Sequence, residues 1–144
     1  MAYIITSDET KTNIFRIAEN DSAKNNLYLP YQCVSNTISD SDFANLKNNT
    51  KIVIEHDGTN YIYNNSGAGF NEESTLTDYL NEITRVISNA LERYPNHPDA
   101  SIWTNYKNFV DNFDTSTLTF PLINSWEKYC EDNSITYINL LQLP

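Results

Sequence analysis

Between Thr75 and Pro95 the apolar residues Leu76, Tyr79, Leu80, Ile83, Val86, Ile87, Ala90, Leu91 and Tyr94 recur at spacings of threes and ones. That is one continuous face of a 3.6-residue period, the mark of an amphipathic helix. Asn81, Glu82, Arg85, Asn89 and Glu92 fill the opposite face. Thr75 with Asp78 supplies the N-terminal cap, and Pro95 stops the helix because proline disfavours helix in the residue before it. A stiff turn, Pro95-Asn96-His97-Pro98-Asp99, leads to a second helix near Ser101 with the stripe Trp103, Tyr106, Phe109, Val110 and Phe113. So short a turn predicts an antiparallel αα-hairpin.

Pro121 suits the first position of a third, shorter helix, in which Leu122, Trp126, Tyr129 and Cys130 share a face. Asp132-Asn133 would end it, since Asn tolerates the left-handed conformation. Residues 134–141 then alternate as a closing strand, able to join the N-terminal sheet or a neighbour's sheet.

Ahead of Gly67 the pattern is different. Tyr3-Ile4-Ile5-Thr6 and Asn13-Ile14-Phe15-Arg16-Ile17 read as two strands of a hairpin across the polar turn 7–12. Gln32-Cys33-Val34-Ser35 is a third strand, and Ser39 with Asp42 opens a short helix carrying Phe43 and Leu46. Lys51 to His56 is rich in β-branched residues, and Thr59 to Tyr63 returns as its partner. Between them Asp57-Gly58 has the composition of a type I′ turn. The predicted fold is α+β: a small, mostly antiparallel sheet of N-terminal hairpins plus the C-terminal strand, packed against an αα-hairpin and a third short helix. One domain over 1–144 is expected, β-rich over 1–66, helical over 72–131, and closed by the strand 134–141; 144 residues suffice for one ordinary core.

The net charge of -10 narrows the partners. The nine Lys and Arg residues are scattered singly, so no basic stripe exists for phosphates or an anionic membrane. No apolar run approaches the ~18 residues of a membrane helix, and the opening Met1 to Thr6 is not a signal peptide. Cys33 and Cys130 read as small buried hydrophobes, with a disulfide between them left open.

Signatures of catalysis and nucleotide binding, such as GxGxxG, GxxxxGK[ST], HExxH and GxSxG, do not occur. His56 and His97 read as exposed turn residues. The close carboxylate pairs Glu55/Asp57, Glu72/Glu73, Asp111/Asp114 and Glu131/Asp132 read as solvated charge or helix caps. No catalytic residue, metal ligand or cofactor is expected. The aromatic load is heavy, at ten Tyr, six Phe and two Trp. Tyr28, Tyr31, Tyr61 and Tyr63 lie beside Asn, Pro and Thr, where interface and plain core are both open readings. A tyrosine offers a partner a rigid apolar body with a polar tip.

Thr119-Phe120-Pro121-Leu122, Ser125-Trp126-Glu127-Lys128-Tyr129-Cys130, Ile135-Thr136-Tyr137 and Leu141-Gln142-Leu143-Pro144, with the opening Ala2 to Glu9, resemble small uncharacterised virion-type proteins of marine tailed phages. The resemblance spans most of the chain and supplies no site residues. It implies a structural or assembly role: a capsid decoration, neck, baseplate or tail component of the virion. Such a protein would be assembled in the host cytoplasm and contact other virion proteins or further copies of itself. The alternatives are a non-virion assembly factor or tail-fibre chaperone, and an acidic inhibitor of a host nucleic-acid-binding enzyme.

Overall fold

The computed structural model describes residues 1–7, 14–48, 53–59, 61–64 and 69–144. It is a mixed α+β structure in two compact units, residues 1–68 with 141–144, and residues 69–140. The division falls where the sequence changes character.

In the first unit, β1 (Ala2–Thr6) lies between β2 (Ile14–Ala18) and β3 (Val34–Ile38), all antiparallel. Ile4 stands opposite both Ile17 and Asn36, and the β1–β2 register shifts at Ile5/Thr6. The expected hairpin and third strand are present, with β3 shifted towards the C-terminus; the connecting turn from Asp8 lies outside the described residues. Alternation turns Ala2, Ile4, Ile17 and Ile38 to one face, where they form a buried cluster with Phe43 and Leu46 of α2 (Asp40–Lys47). Ser39 caps α2, its Oγ accepting from the Asp42 N–H at 3.1 Å. A short helix that the sequence pattern does not announce, α1 (Asp21–Asn25), follows β2. Asn20 caps it, the Tyr3 hydroxyl donates to Asp21, and Lys24 lies over the Tyr3 ring.

The second hairpin joins β4 (Val53–His56) to β5 (Tyr61–Asn64). Its connection is not the two-residue type I′ turn. His56 pairs with Tyr61, so the loop is 57–60 and Thr59 belongs to it. Of Asp57 and Gly58 only Gly58 takes a positive φ, +100°. Asp57 instead folds back to accept from the Thr59 N–H at 2.8 Å, an Asx turn.

The second unit is helical. α3 (Glu73–Arg93) starts ahead of Thr75, and the Thr75 hydroxyl donates to the Glu72 carbonyl rather than capping the helix. Leu76, Leu80, Ile83, Ile87 and Ala90 are buried, as the stripe requires. α4 (Ala100–Asp111) packs against it. Thr84 bonds Asp111 at the end of α4, and Glu73 at the start of α3 bonds Thr115 just beyond it, so the pair is antiparallel.

Two expectations fail here. Pro121 does not open the third helix: it follows a cis peptide bond, Leu122 forms a β-bridge with Phe70, and α5 is Trp126–Asp132 with Ser125 as its cap. The closing strand over 134–141 does not form. Ser134, not Asn133, takes the left-handed conformation (φ 57°), and the chain runs on without sheet partners into a 3-10 turn, Leu140–Gln142. Alternation in sequence is a local pattern, and burial along this segment does not follow it: the adjacent Ile138 and Asn139 are both buried.

Candidate interaction surfaces and the buried polar cluster

Of the four tyrosines singled out, two are on open surface. Tyr31 is 100% exposed and Tyr28 56%. Both belong to the connection between α1 and β3, where the Cys33 N–H donates to the Pro30 carbonyl and turns the chain. Tyr61 is half-buried, packs against the first unit's core, and meets His56 edge-to-face at 4.8 Å. Tyr63 stands in β5, and its side chain lies outside the described residues. In the second unit Ile123 is 85% exposed on the segment between the Phe70–Leu122 bridge and α5.

The histidines correct their sequence reading. His56 is half-buried, and His97 is buried, 9% exposed and stacked on Trp103 at 4.4 Å. His97 lies in the turn between α3 and α4, and its Nδ1 accepts from the Asp99 N–H at 3.0 Å. A proline-flanked loop reads as exposed; the Trp103 ring one helical turn on is what covers this residue. The four close carboxylate pairs are all exposed. Among the described residues no group of three or more His, Cys, Asp or Glu converges in metal-binding geometry, and no helix is long and apolar enough to cross a membrane. Both cysteines are free thiols, Cys130 fully buried.

The feature that pattern reading misses is a buried polar cluster inside the second unit. Glu127, on the first turn of α5, is 0% exposed and accepts from the Tyr79 hydroxyl of α3. Trp126 beside it is also fully buried, and its indole N–H donates to the Tyr106 hydroxyl of α4 at 2.8 Å. Burial, then the neighbouring Cys130 and Glu127, holds the Tyr106 phenol far above its ordinary range. Burial and Glu127 push the Cys130 thiol up in the same way. These bonds tie α3, α4 and α5 together by their polar atoms, and Phe113 and Tyr129 close round the Trp126 ring. Glu127 and Trp126 at the centre of the cluster are fully buried and each is bonded to a different helix, an arrangement that fixes one packing of three helices. The only sequence signal for it was the position of Glu127 beside three core residues of the same helix, Trp126, Tyr129 and Cys130.

Outside that cluster, Ile102, Asn105 and Phe109 of α4 and the segment Ser134-Ile135-Thr136 line a surface pocket of about 470 Å³. Its lining is aliphatic and aromatic with amide and hydroxyl groups, and contains no titratable side chain apart from Tyr106, whose hydroxyl is already engaged by Trp126. No protein-family model, curated protein or solved structure matches this chain.

Proposed function

We propose that this protein is a non-enzymatic virion component, a capsid decoration, neck, baseplate or tail protein, that acts through protein–protein contacts. The observation that carries the reading is the exposure of Tyr31 and Tyr28 within one short turn. A fully exposed tyrosine contributes almost no hydrophobic free energy to its own fold. Buried by a partner it supplies a large rigid contact with a polar tip, the residue type most enriched in interface cores. The solvated carboxylate pairs and the internally satisfied Glu127–Tyr79 bond agree with polar groups that serve solubility and packing. The net charge of -10 disfavours a polyanionic ligand and suits a partner with a basic surface. The resemblance of the C-terminal segments to virion-type proteins is the reason for proposing a phage particle as the setting of such a partner.

The test is mass spectrometry of purified particles from the phage that encodes the chain. The protein should be present in stoichiometric amount and survive density-gradient purification. Abundance in infected cells with absence from finished particles would overturn the virion assignment in favour of an assembly factor.

A further inference from the structure

We propose that the outer edge of β3 is a self-association site, at which a second copy of this chain adds its own β3 antiparallel about a two-fold axis. The inference concerns this chain alone and does not depend on the particle assigned above.

Among the described residues β3 is the last strand of its sheet, so one side of Val34–Ile38 presents backbone donors and acceptors without a neighbouring strand. Natural sheet edges are usually blunted by a charge, a proline or a bulge. The opposite edge, β2, has such devices: Arg16 sits in the middle of the strand, donating 3.3 Å to the backbone oxygen of Pro144, and the register is broken at Ile5/Thr6. β3 has none. Its sequence is Val-Ser-Asn-Thr-Ile, its pairing with β1 runs without a break, and no Asp, Glu, Lys or Arg falls between Lys24 and Asp40.

Electrostatics select the same place. Two copies carrying -10 each repel, and contact is least costly where charge is least. The first unit holds eight acids and five bases, a net of -3; residues 69–140 hold eleven acids and four bases, a net of -7. A dimer through the uncharged edge of the first unit therefore brings together the smaller charges, at a strand that adds none.

Asn36 decides the register and the occupant. It stands at the centre of β3, on the same face as Val34 and Ile38, opposite Ile4. Its side-chain Nδ2 is buried and finds no hydrogen-bond partner among the described residues. An orphaned buried donor is costly, and each one calls for an explanation. With the two-fold axis at Asn36, Val34 faces Ile38 of the second copy, Ser35 faces Thr37, and Asn36 faces Asn36. Directly opposed residues in an antiparallel pair have Cβ atoms ~4.5–5.5 Å apart. With each amide turned from its enclosed position towards the axis, each carboxamide can donate to the oxygen of the other, so the group left over in one copy is the group a second copy satisfies. The same register carries the Tyr28–Tyr31 turn of each copy beyond the Ile38 end of the other strand. Covering one fully exposed and one half-exposed tyrosine per copy contributes about 600 Å² in total, at ~200 Å² per ring. With the strand edges added, the interface reaches the ~1,000–1,200 Å² low end of specific pairs. An interface of that size is weak, so the association is concentration-dependent.

Sedimentation equilibrium of the full-length chain over a hundredfold concentration range tests this. Ser35 and Thr37 are exposed on the face away from Asn36, so Ser35→Lys/Thr37→Lys leaves the core intact and opposes lysine to lysine twice across the axis. The wild type should show a monomer–dimer equilibrium, and the double-lysine variant should dissociate at least tenfold more readily with an unchanged circular dichroism spectrum. A Ser35→Glu/Thr37→Glu variant should likewise be monomeric alone yet form a heterodimer with the lysine variant. A wild-type chain that is monomeric throughout the range, or a dimer indifferent to the lysines, overturns the proposal. So does failure of the mixed pair to associate.

Discussion

Replacing Tyr106 by Phe removes a single oxygen from the middle of the helical unit. Trp126 is 0% exposed and Tyr106 2%, so water cannot substitute for what is lost. The indole nitrogen is a donor only, and its one acceptor here is the Tyr106 hydroxyl at 2.8 Å. Leaving a buried donor unpaired costs about 1–3 kcal/mol. The ring itself is unchanged, so no cavity larger than the oxygen's own volume opens. At roughly 2–4 °C per kcal/mol for a chain near this size, the melting temperature should fall by about 2–12 °C. Near-ultraviolet circular dichroism suits the assay because Trp126 is itself the probe, and urea titration should show a lower midpoint at constant slope. In a Trp126→Phe background the donor is already gone, and Tyr106→Phe should then cost less by about 1 kcal/mol or more. Tyr31→Phe, on open surface, should change stability by less than about 0.5 kcal/mol. A Tyr106→Phe protein as stable as wild type, or an equal loss in both backgrounds, would refute the account of the cluster as a bonded unit.

Stability should fall at alkaline pH. Burial raises the Tyr106 phenol and the Cys130 thiol in the folded state, whereas in the unfolded chain they ionise near 10 and 8.5. Above those values the unfolded state binds fewer protons, so stability is complete below about pH 8.5 and declines as pH rises. Cys130→Ala should move the onset towards pH 10 in denaturant titrations, and a flat profile from pH 8 to 11 would contradict the burial argument. Gly69→Ala should destabilise the second unit by about 2 kcal/mol, the worth of two backbone bonds. A β-carbon there would lie 2.1 Å from the Leu122 carbonyl oxygen and 2.5 Å from that of Ile123, and must open the paired 2.7 Å bonds between Phe70 and Leu122. Hydrogen exchange at the Phe70 and Leu122 amides reads the effect; unchanged protection would show that the backbone yields without cost.

Long periodic signals were legible in the sequence because one physical cause dominates them. The stripe from Leu76 to Ala90 is buried as its spacing demands, and the strands of both hairpins pair as alternation indicates, whereas the second hairpin closes through an Asx turn in place of the expected type I′ turn. What escaped depends on contacts distant in sequence. Pro121 satisfies a local rule for helix starts, yet Leu122 is claimed by Phe70, far upstream. Ser134 to Leu141 alternates like a strand, but in the structure it forms no ladder. Glu127 reads as one more surface acid until Tyr79, from another helix, closes over it. His97 reads as a loop residue until Trp103 stacks on it. The interaction surface was half legible: composition drew attention to Tyr28 and Tyr31, while burial separates them from Tyr61. Asn36 carried no sequence signal, since an amide in a strand is conspicuous only once its neighbours are known to leave it unpaired.

The first unit takes its last four residues, Leu141–Pro144, from beyond the whole helical segment. Leu143 is 2% exposed, and Arg16 reaches the backbone oxygen of Pro144 across 128 positions of sequence. During synthesis the β-rich portion emerges first but cannot be completed until the ribosome has also delivered the helices and the residues behind them. The first unit's core therefore closes only once residues made after the whole helical segment have arrived.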